Sequence, residues 1–304
     1  MARMTMTKAM KHYAPTFEET FERFLANRKA KGSSAKTLQT YHYHFRAISK
    51  YLDADKDIDL ITKTDLEQML ADMRDAGLSS NSINSYTRTL KSFFSWCNEE
   101  EVTTLNLRLY KAEETVKDTY TDAELKRLLK KPKMRSTTFC EYRNWVIINL
   151  LLNSGCRAAT IRSFLVKDVN LNNATITYRH TKNKSIQIVP LCSEMVSVMR
   201  EYMKVRNGEA NDVLFPNESG KAMTEAGLRE AVRYYNRSRG VEKTSIHLFR
   251  HTFAERYLRN GGNPFNLQKI LGHSTLDMTR HYCKIYDADL IKGYDSFSPL
   301  ATLR

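Results

Sequence analysis

Near its C-terminal end the chain reads His247-Leu-Phe-Arg250-His251, then Leu271-Gly-His273-Ser, and Tyr282 stands nine positions after His273. Arg157 and Lys182 lie upstream. Two arginines, two histidines, a lysine and a tyrosine in one region suit a metal-free attack on a phosphodiester. Guanidinium groups hold and neutralise phosphate oxygens through parallel N–H bonds, a phenol oxygen can attack phosphorus, and lysine and histidine can move protons.

Each of these residues also has an ordinary reading. His247 and Arg250 are spaced i, i+3 and share one face of a helix. His251, one turn after His247, imitates a metal pair, but position 248 is Leu where a zinc-protease helix needs Glu, and no cysteines stand at ligand spacing. His273 follows Gly272 at the end of a helix that Asn263 and Pro264 start, and a histidine there often just bonds the backbone. The chain has 16 tyrosines, most of which must serve packing. Tyr286, one turn beyond Tyr282, rivals it as attacker. A free phenol has a pKa of about 10, so whichever tyrosine attacks needs cations and a proton acceptor beside it. Lys182 shares its polar turn with Lys184, and a lone arginine such as Arg157 is usually a solvated surface group.

Two helical regions and one small sheet must position this set. Thr16-x-x-Glu19 reads as a capping box, followed by Phe17, Phe21, Phe24 and Leu25 at helical spacing. A second helix carries Leu38, Tyr41, Phe45, Ile48 and Leu52. Thr64-x-x-Glu67 is expected to cap a third, which Gly77 ends, and Ile83 to Trp96 forms a fourth. These make a helical domain over residues 1–110. Residues 111–119 hold one large apolar side chain and read as a linker. A second domain, 120–304, opens at the Thr121-x-x-Glu124 box and continues through an apolar helix over about 139–153. The expected β region follows: a strand over Val166–Leu171, a turn at Asn172-Asn173, a strand from Ala174 to His180, a turn at Thr181–Lys184 and a return over Ser185–Val189. The fold class is therefore mainly α with a small antiparallel sheet (α+β).

The formal net charge of +14 and a pI near 9.5 point to a polyanionic partner, since basic residues that neutralise phosphates gain from counterion release. A merely basic soluble protein, or one that touches acidic membranes, would carry the same charge. No apolar run approaches the ~20 residues that span a bilayer, so no membrane partner is expected. The N-terminus lacks the apolar core of a signal peptide, and the five cysteines are odd in number and scattered, which predicts a cytoplasmic chain with reduced thiols.

The order Arg157, Lys182, His247-x-x-Arg250, His273, Tyr282 closely resembles the tyrosine recombinase (phage integrase) family, of the two-domain Xer-like and transposon-integrase type. Ser154-Gly155-Cys156 matches the small-Gly-apolar step before the family's first arginine, and Leu-Gly-His-Ser its histidine motif. Counting back from Val189-Pro190 selects Lys182 over Lys184, and the step from His273 selects Tyr282 over Tyr286. One departure stands out: Thr160 replaces the Glu usual three residues after Arg157.

The resemblance implies a SAM-like core-binding domain and a catalytic domain closed around duplex DNA. Arg157, Arg250 and His273 would hold the phosphate, His247 would handle the nucleophile's proton, and Lys182 would act as general acid. Tyr282 would form a 3′-phosphotyrosyl link and free a 5′-hydroxyl, and the exchange would pass through a Holliday junction. No cofactor, metal or ATP is implied. Partners would be DNA with recombination core sites and three further copies in a homotetramer on two sites, with accessory DNA-bending proteins as candidates. The short stretch before the first helix predicts no arm-binding domain. The segment 286–304, with Leu290, Ile291, Tyr294, Phe297 and Leu300, is expected to dock on a neighbouring protomer. Thr160 tilts the expected role towards integration and excision of a mobile element, with Xer-type dimer resolution as the alternative. A type IB topoisomerase and a non-catalytic DNA-binding regulator are the remaining readings.

Overall fold

The computed structural model describes residues 14–103, 105, 118–179, 186–273 and 275. The chain divides into two compact units, Met1–Thr115 and Val116–Arg304.

Among the described residues the first unit is built from four α-helices: α1 (Phe17–Ala30), α2 (Ala35–Ile48), α3 (Lys63–Asp75) and α4 (Ser80–Glu99). The Thr16/Glu19 capping box forms as expected. It satisfies two of the N–H groups that a helix start leaves without partners. Helical spacing brings Phe17, Phe21 and Phe24 to one face of α1, where they meet Phe45 from α2 and Phe93 and Trp96 from α4. Phe21 stacks on Phe45 with ring centroids 4.5 Å apart, and Phe93 lies 5.5, 5.3 and 5.7 Å from Phe17, Phe21 and Phe24. Burying each ring contributes roughly 1.5–3 kcal/mol.

Two details differ from the sequence reading. Helix α2 stops at Ile48, and Leu52 reaches the same core from the turn that follows. The third helix is capped by Thr62 and Asp65, not by Thr64 and Glu67. Both pairs carry the box spacing, but Lys56 bonds Asp65 at 2.8 Å and favours the earlier start, while Glu67 pairs with Lys63 along the helix. The Lys56 hydrogen bond, helped by backbone and side-chain bonds from Thr62, holds the Asp65 carboxyl down at about 2.

The second unit contains α5 (Asp122–Leu129), α6 (Phe139–Ser154), α7 (Ala158–Ser163), α8 (Ser193–Arg206), α9 (Glu225–Ser238), α10 (Ile246–Arg259) and α11 (Pro264–Leu271). Its sheet is β1 (Val169–Asn170), β2 (Thr175–Tyr178) and β3 (Gln187–Pro190), antiparallel in that order. Helix α6 is buried along most of its length, from Tyr142 to Leu151, and packs against α5, α8, α9 and α10. That burial on every side matches its apolar sequence. In the sheet, Ile176 faces Val189 with both side chains in the core, and Tyr178 pairs with Gln187.

Val166–Asp168, expected as strand, is a 3-10 turn. Its backbone is drawn elsewhere: Val166 and Lys167 donate to the carbonyls of Asp212 and Ala210, and the Asp168 carboxylate accepts from the Leu165 N–H at 2.9 Å. Within the expected linker, 111–117 lie outside the described residues. Asp118 and Thr119 are both bonded by Lys243, at 3.0 and 2.8 Å. Among the described residues no helix is long and apolar enough to cross a membrane.

Candidate active site

Those site candidates that lie among the described residues sit where helices of the second unit end or begin. Helix α6 closes at Gly155 in the left-handed region, φ +57. A Cβ there would fall 2.6 Å from Phe253 Cδ1 and 2.9 Å from Leu271 Cδ2, so glycine is a steric requirement as well as a turn former. The turn delivers Arg157 to the N-cap of α7 in extended conformation, φ −78 and ψ 151. Its guanidinium is half-buried, and burial pulls it below its usual pKa. An arginine stays charged even so, and a desolvated cation binds an anion more strongly than a hydrated one.

Arg250 lies in the first turns of α10 and is buried. Its Nη1 donates to the Gly155 carbonyl at 2.9 Å and its Nη2 to the Leu271 carbonyl at 2.8 Å. Arg157 Nη2 donates to the next carbonyl, Gly272, at 3.3 Å. The two guanidiniums therefore grip adjacent carbonyls of one turn, and the residue after that turn is His273. Gly272 caps α11 at φ +61, and the His273 N–H closes the helix end on the Gln268 carbonyl at 3.1 Å. Asn263 caps the start of α11 through Phe265 and Asn266, with Pro264 at the first position, as its sequence predicts.

His247 is exposed, one turn before Arg250 on α10. Ser245, the N-cap, makes no side-chain bond, so the positive end of this helix lies in the same turn as His247. The helix is fixed from behind by Tyr120, whose ring stacks on Phe249 with centroids 4.3 Å apart and whose N–H donates to Thr252 Oγ1 at 3.0 Å. Asn236 in turn donates to the Tyr120 hydroxyl and to the Lys243 carbonyl.

The structure thus brings Arg157, Arg250 and His273 together and sets His247 one turn from Arg250. Lys182 and its rival Lys184, Tyr282 and its rival Tyr286, Ser274 and Asp277, whose spacing in the sequence reads as the cap of a final short helix, and the segment 286–304 lie outside the described residues. Thr160 is buried in α7, its N–H bonded to the Arg157 carbonyl at 2.9 Å. Cys156 is buried too, and burial pushes its thiol up to about 11, so it stays protonated and inert as a nucleophile. Sequence reasoning passed over Gln187 and Tyr120, which hold the site from the sheet and from the start of the unit. No spacing rule flags them, because their partners lie 82 or more residues away.

Residues 119–289 match the phage integrase family, and residues 19–101 match the N-terminal SAM-like domain of phage integrases. Tyrosine recombinase XerD of Staphylococcus epidermidis is 27% identical over 283 residues, covering 89% of this chain and 95% of that protein. Among solved structures, the Tn1549 transposon integrase in complex with transposon right end DNA aligns with a TM-score of 0.77 at 22% identity, over 93% of this chain and 99% of that one. A lambda integrase tetramer bound to a Holliday junction aligns with a TM-score of 0.66 at 19% identity, over 86% and 78%. At those identities the two structures speak for the fold, while the family match covers more than half the sequence with the Arg157-to-Tyr282 set inside it. The chain belongs to the phage integrase family, the tyrosine-type site-specific DNA recombinases.

Proposed function

We propose that this recombinase cuts DNA with Tyr282 while Arg157, Arg250 and His273 hold the scissile phosphate. The Tyr282 oxygen attacks phosphorus, its proton passes to His247, and the 5′ oxygen leaves with a proton from Lys182. The products are a 3′-phosphotyrosyl link and a free 5′-hydroxyl. Attack of that hydroxyl on a partner strand's link regenerates the tyrosine and exchanges the strands through a Holliday junction. One phosphoester replaces another at each step, so no ATP is consumed.

The observation that carries this assignment is the grip of two guanidiniums on adjacent carbonyls beside His273. Guanidiniums anchored in this way keep their remaining N–H groups as fixed donors for the oxygens of a phosphate, where a single preorganised donor is commonly worth about 100- to 1,000-fold in rate. A nicked suicide substrate, which loses its 5′ fragment on cleavage, tests it. A covalent protein–DNA adduct that maps to Tyr282 is expected, and the absence of any adduct would leave only a DNA-binding protein.

The working assembly in this reading is a homotetramer on two duplex core sites in the cytoplasm, and the role is integration and excision of a mobile element. The similarity to XerD over nearly the full length of both chains favours a second role, resolution of chromosome or plasmid dimers. Sequencing the DNA trapped as adduct in cells decides between them. Junctions at the ends of an element support the first, and one fixed chromosomal or plasmid site supports the second.

A further inference from the structure

The last turn of a helix leaves its carbonyls without partners in the helix, and in α11 a run of consecutive carbonyls is taken by side chains from other elements. Arg250 takes Leu271 and Arg157 takes Gly272, as described. The two carbonyls before them, Lys269 and Ile270, both accept from Gln187 Nε2 on β3, the second at 2.7 Å, and the Lys269 carbonyl also accepts the Gly272 N–H at 3.0 Å. The Gln187 amide also borders Gly272 itself: a Cβ on that glycine would lie 3.0 Å from Gln187 Oε1. Three side chains, two charged and one neutral, thus cover the carbonyls from 269 to 272.

We infer that Gln187 is a positioning residue for the phosphate-holding turn. It does not touch DNA in this account; it anchors the end of α11 to the sheet. With residues 269 and 270 fixed, the carbonyls at 271 and 272 stay where Arg250 and Arg157 meet them, and His273 leaves the turn in one direction. Without it, Arg157 would be tied to a helix end that has lost these two hydrogen bonds from the sheet. In-line phosphoryl transfer tolerates little of that freedom, since a displacement of about 1 Å can cost about 100-fold in rate. The inference rests on the catalytic assignment above.

The test uses the full-length protein and single-turnover cleavage of the suicide substrate. Gln187→Met keeps length and bulk but removes both donors. It should slow adduct formation about 10- to 100-fold while changing the DNA dissociation constant less than about threefold. The defect should persist on a substrate whose 5′ leaving oxygen is replaced by sulfur, because a thiolate departs without a proton and relieves only defects in leaving-group protonation. Gln187→Glu supplies a second readout. Its ionised form faces two carbonyls with no donor, whereas its protonated form has one O–H to give. Its rate relative to wild type should therefore rise as pH falls from 8 to 5.5.

Wild-type rates for both variants would overturn the inference alone, leaving the catalytic assignment intact. Complete rescue of Gln187→Met by the sulfur substrate would overturn it too, by placing the residue's effect on the leaving group. A wild-type chain that forms no adduct would sink the assignment and this inference with it.

Discussion

The two units of this chain are held together in different ways. The first is a knot of rings: Phe17, Phe21, Phe24, Phe45, Phe93 and Trp96 join α1, α2 and α4, and α3 adds Leu66, Met69, Leu70 and Met73 to the same core. The second has a larger apolar core, but its functional edge is tied by side chains that reach across the sequence to backbone carbonyls. Arg250 bonds Gly155 and Leu271, Arg157 bonds Gly272, and Gln187 bonds Ile270. Helices present a surface well enough when their apolar faces pack. Atoms placed at the ends of helices need more, because loop backbone has no packing stripe of its own and its polar groups must find partners.

Substitutions can break this contrast. The largest effect belongs to Tyr282→Phe, which keeps the ring and removes the attacking oxygen. Gel assays should show no adduct at any time point with DNA binding retained, whereas Tyr286→Phe should still form it. An adduct from Tyr282→Phe would move the nucleophile to another residue.

Arg250→Met comes next and acts twice. Loss of a preorganised cation should slow cleavage by at least about 100-fold. Two buried carbonyls would also lose their partner, at about 1–3 kcal/mol each, which denaturant titration should detect. A variant that lost rate but no stability would show that the polar ties of the second unit are dispensable for its fold.

Phe93→Ala probes the other side. Removing a ring from a packed core costs about 3–5 kcal/mol, so the first unit should unfold at much lower denaturant while the tryptophan-containing core around Trp145 keeps its own midpoint. A loss below about 1 kcal/mol would show that the ring cluster is not what holds the four helices.

The smallest effect is a pH effect at Asp65. Its carboxyl sits near 2 when folded, below the ordinary 3.8, chiefly through the Lys56 hydrogen bond. A depressed carboxylate contributes stability above its unfolded pKa and loses it as pH falls through the folded one. The difference in midpoint between wild type and Asp65→Asn should be full at pH 7 and shrink between pH 4 and pH 2. The pair is part-exposed, so the difference itself should not exceed about 1 kcal/mol. A difference that held constant down to pH 2 would assign the cap's worth to packing.

What the sequence makes legible follows the same division. Caps at Thr16, Thr121 and Asn263 could be read because donor and acceptor lie within a turn of each other. The third helix start was misread because Thr62 and Thr64 each precede an acidic residue at the same spacing, and Lys56, from outside the helix, decides between them. Val166–Asp168 looked like strand from its apolar residues, but its hydrogen bonds go to Ala210 and Asp212, which no local pattern contains. In the site, the spacing of His247-x-x-Arg250 places both residues on one helical face, and the motif they match gives them a role. Arg157 needed its resemblance to a known motif, since nothing local separates it from a surface arginine. Gln187 could not have been found, because its meaning lies in carbonyls 82 and 83 residues further along the chain.

The bond from Arg250 to the Gly155 carbonyl spans 95 residues, and its companion reaches forward to Leu271. On a ribosome adding about 5–20 residues per second, the stretch between those two carbonyls takes on the order of ten seconds to emerge. The ring cluster of the first unit, by contrast, draws on nothing beyond residue 105. A nascent chain can therefore finish its first core while the groups that would bind and cut a phosphodiester are still apart. Synthesis itself orders the two capacities, and the power to break a strand comes last.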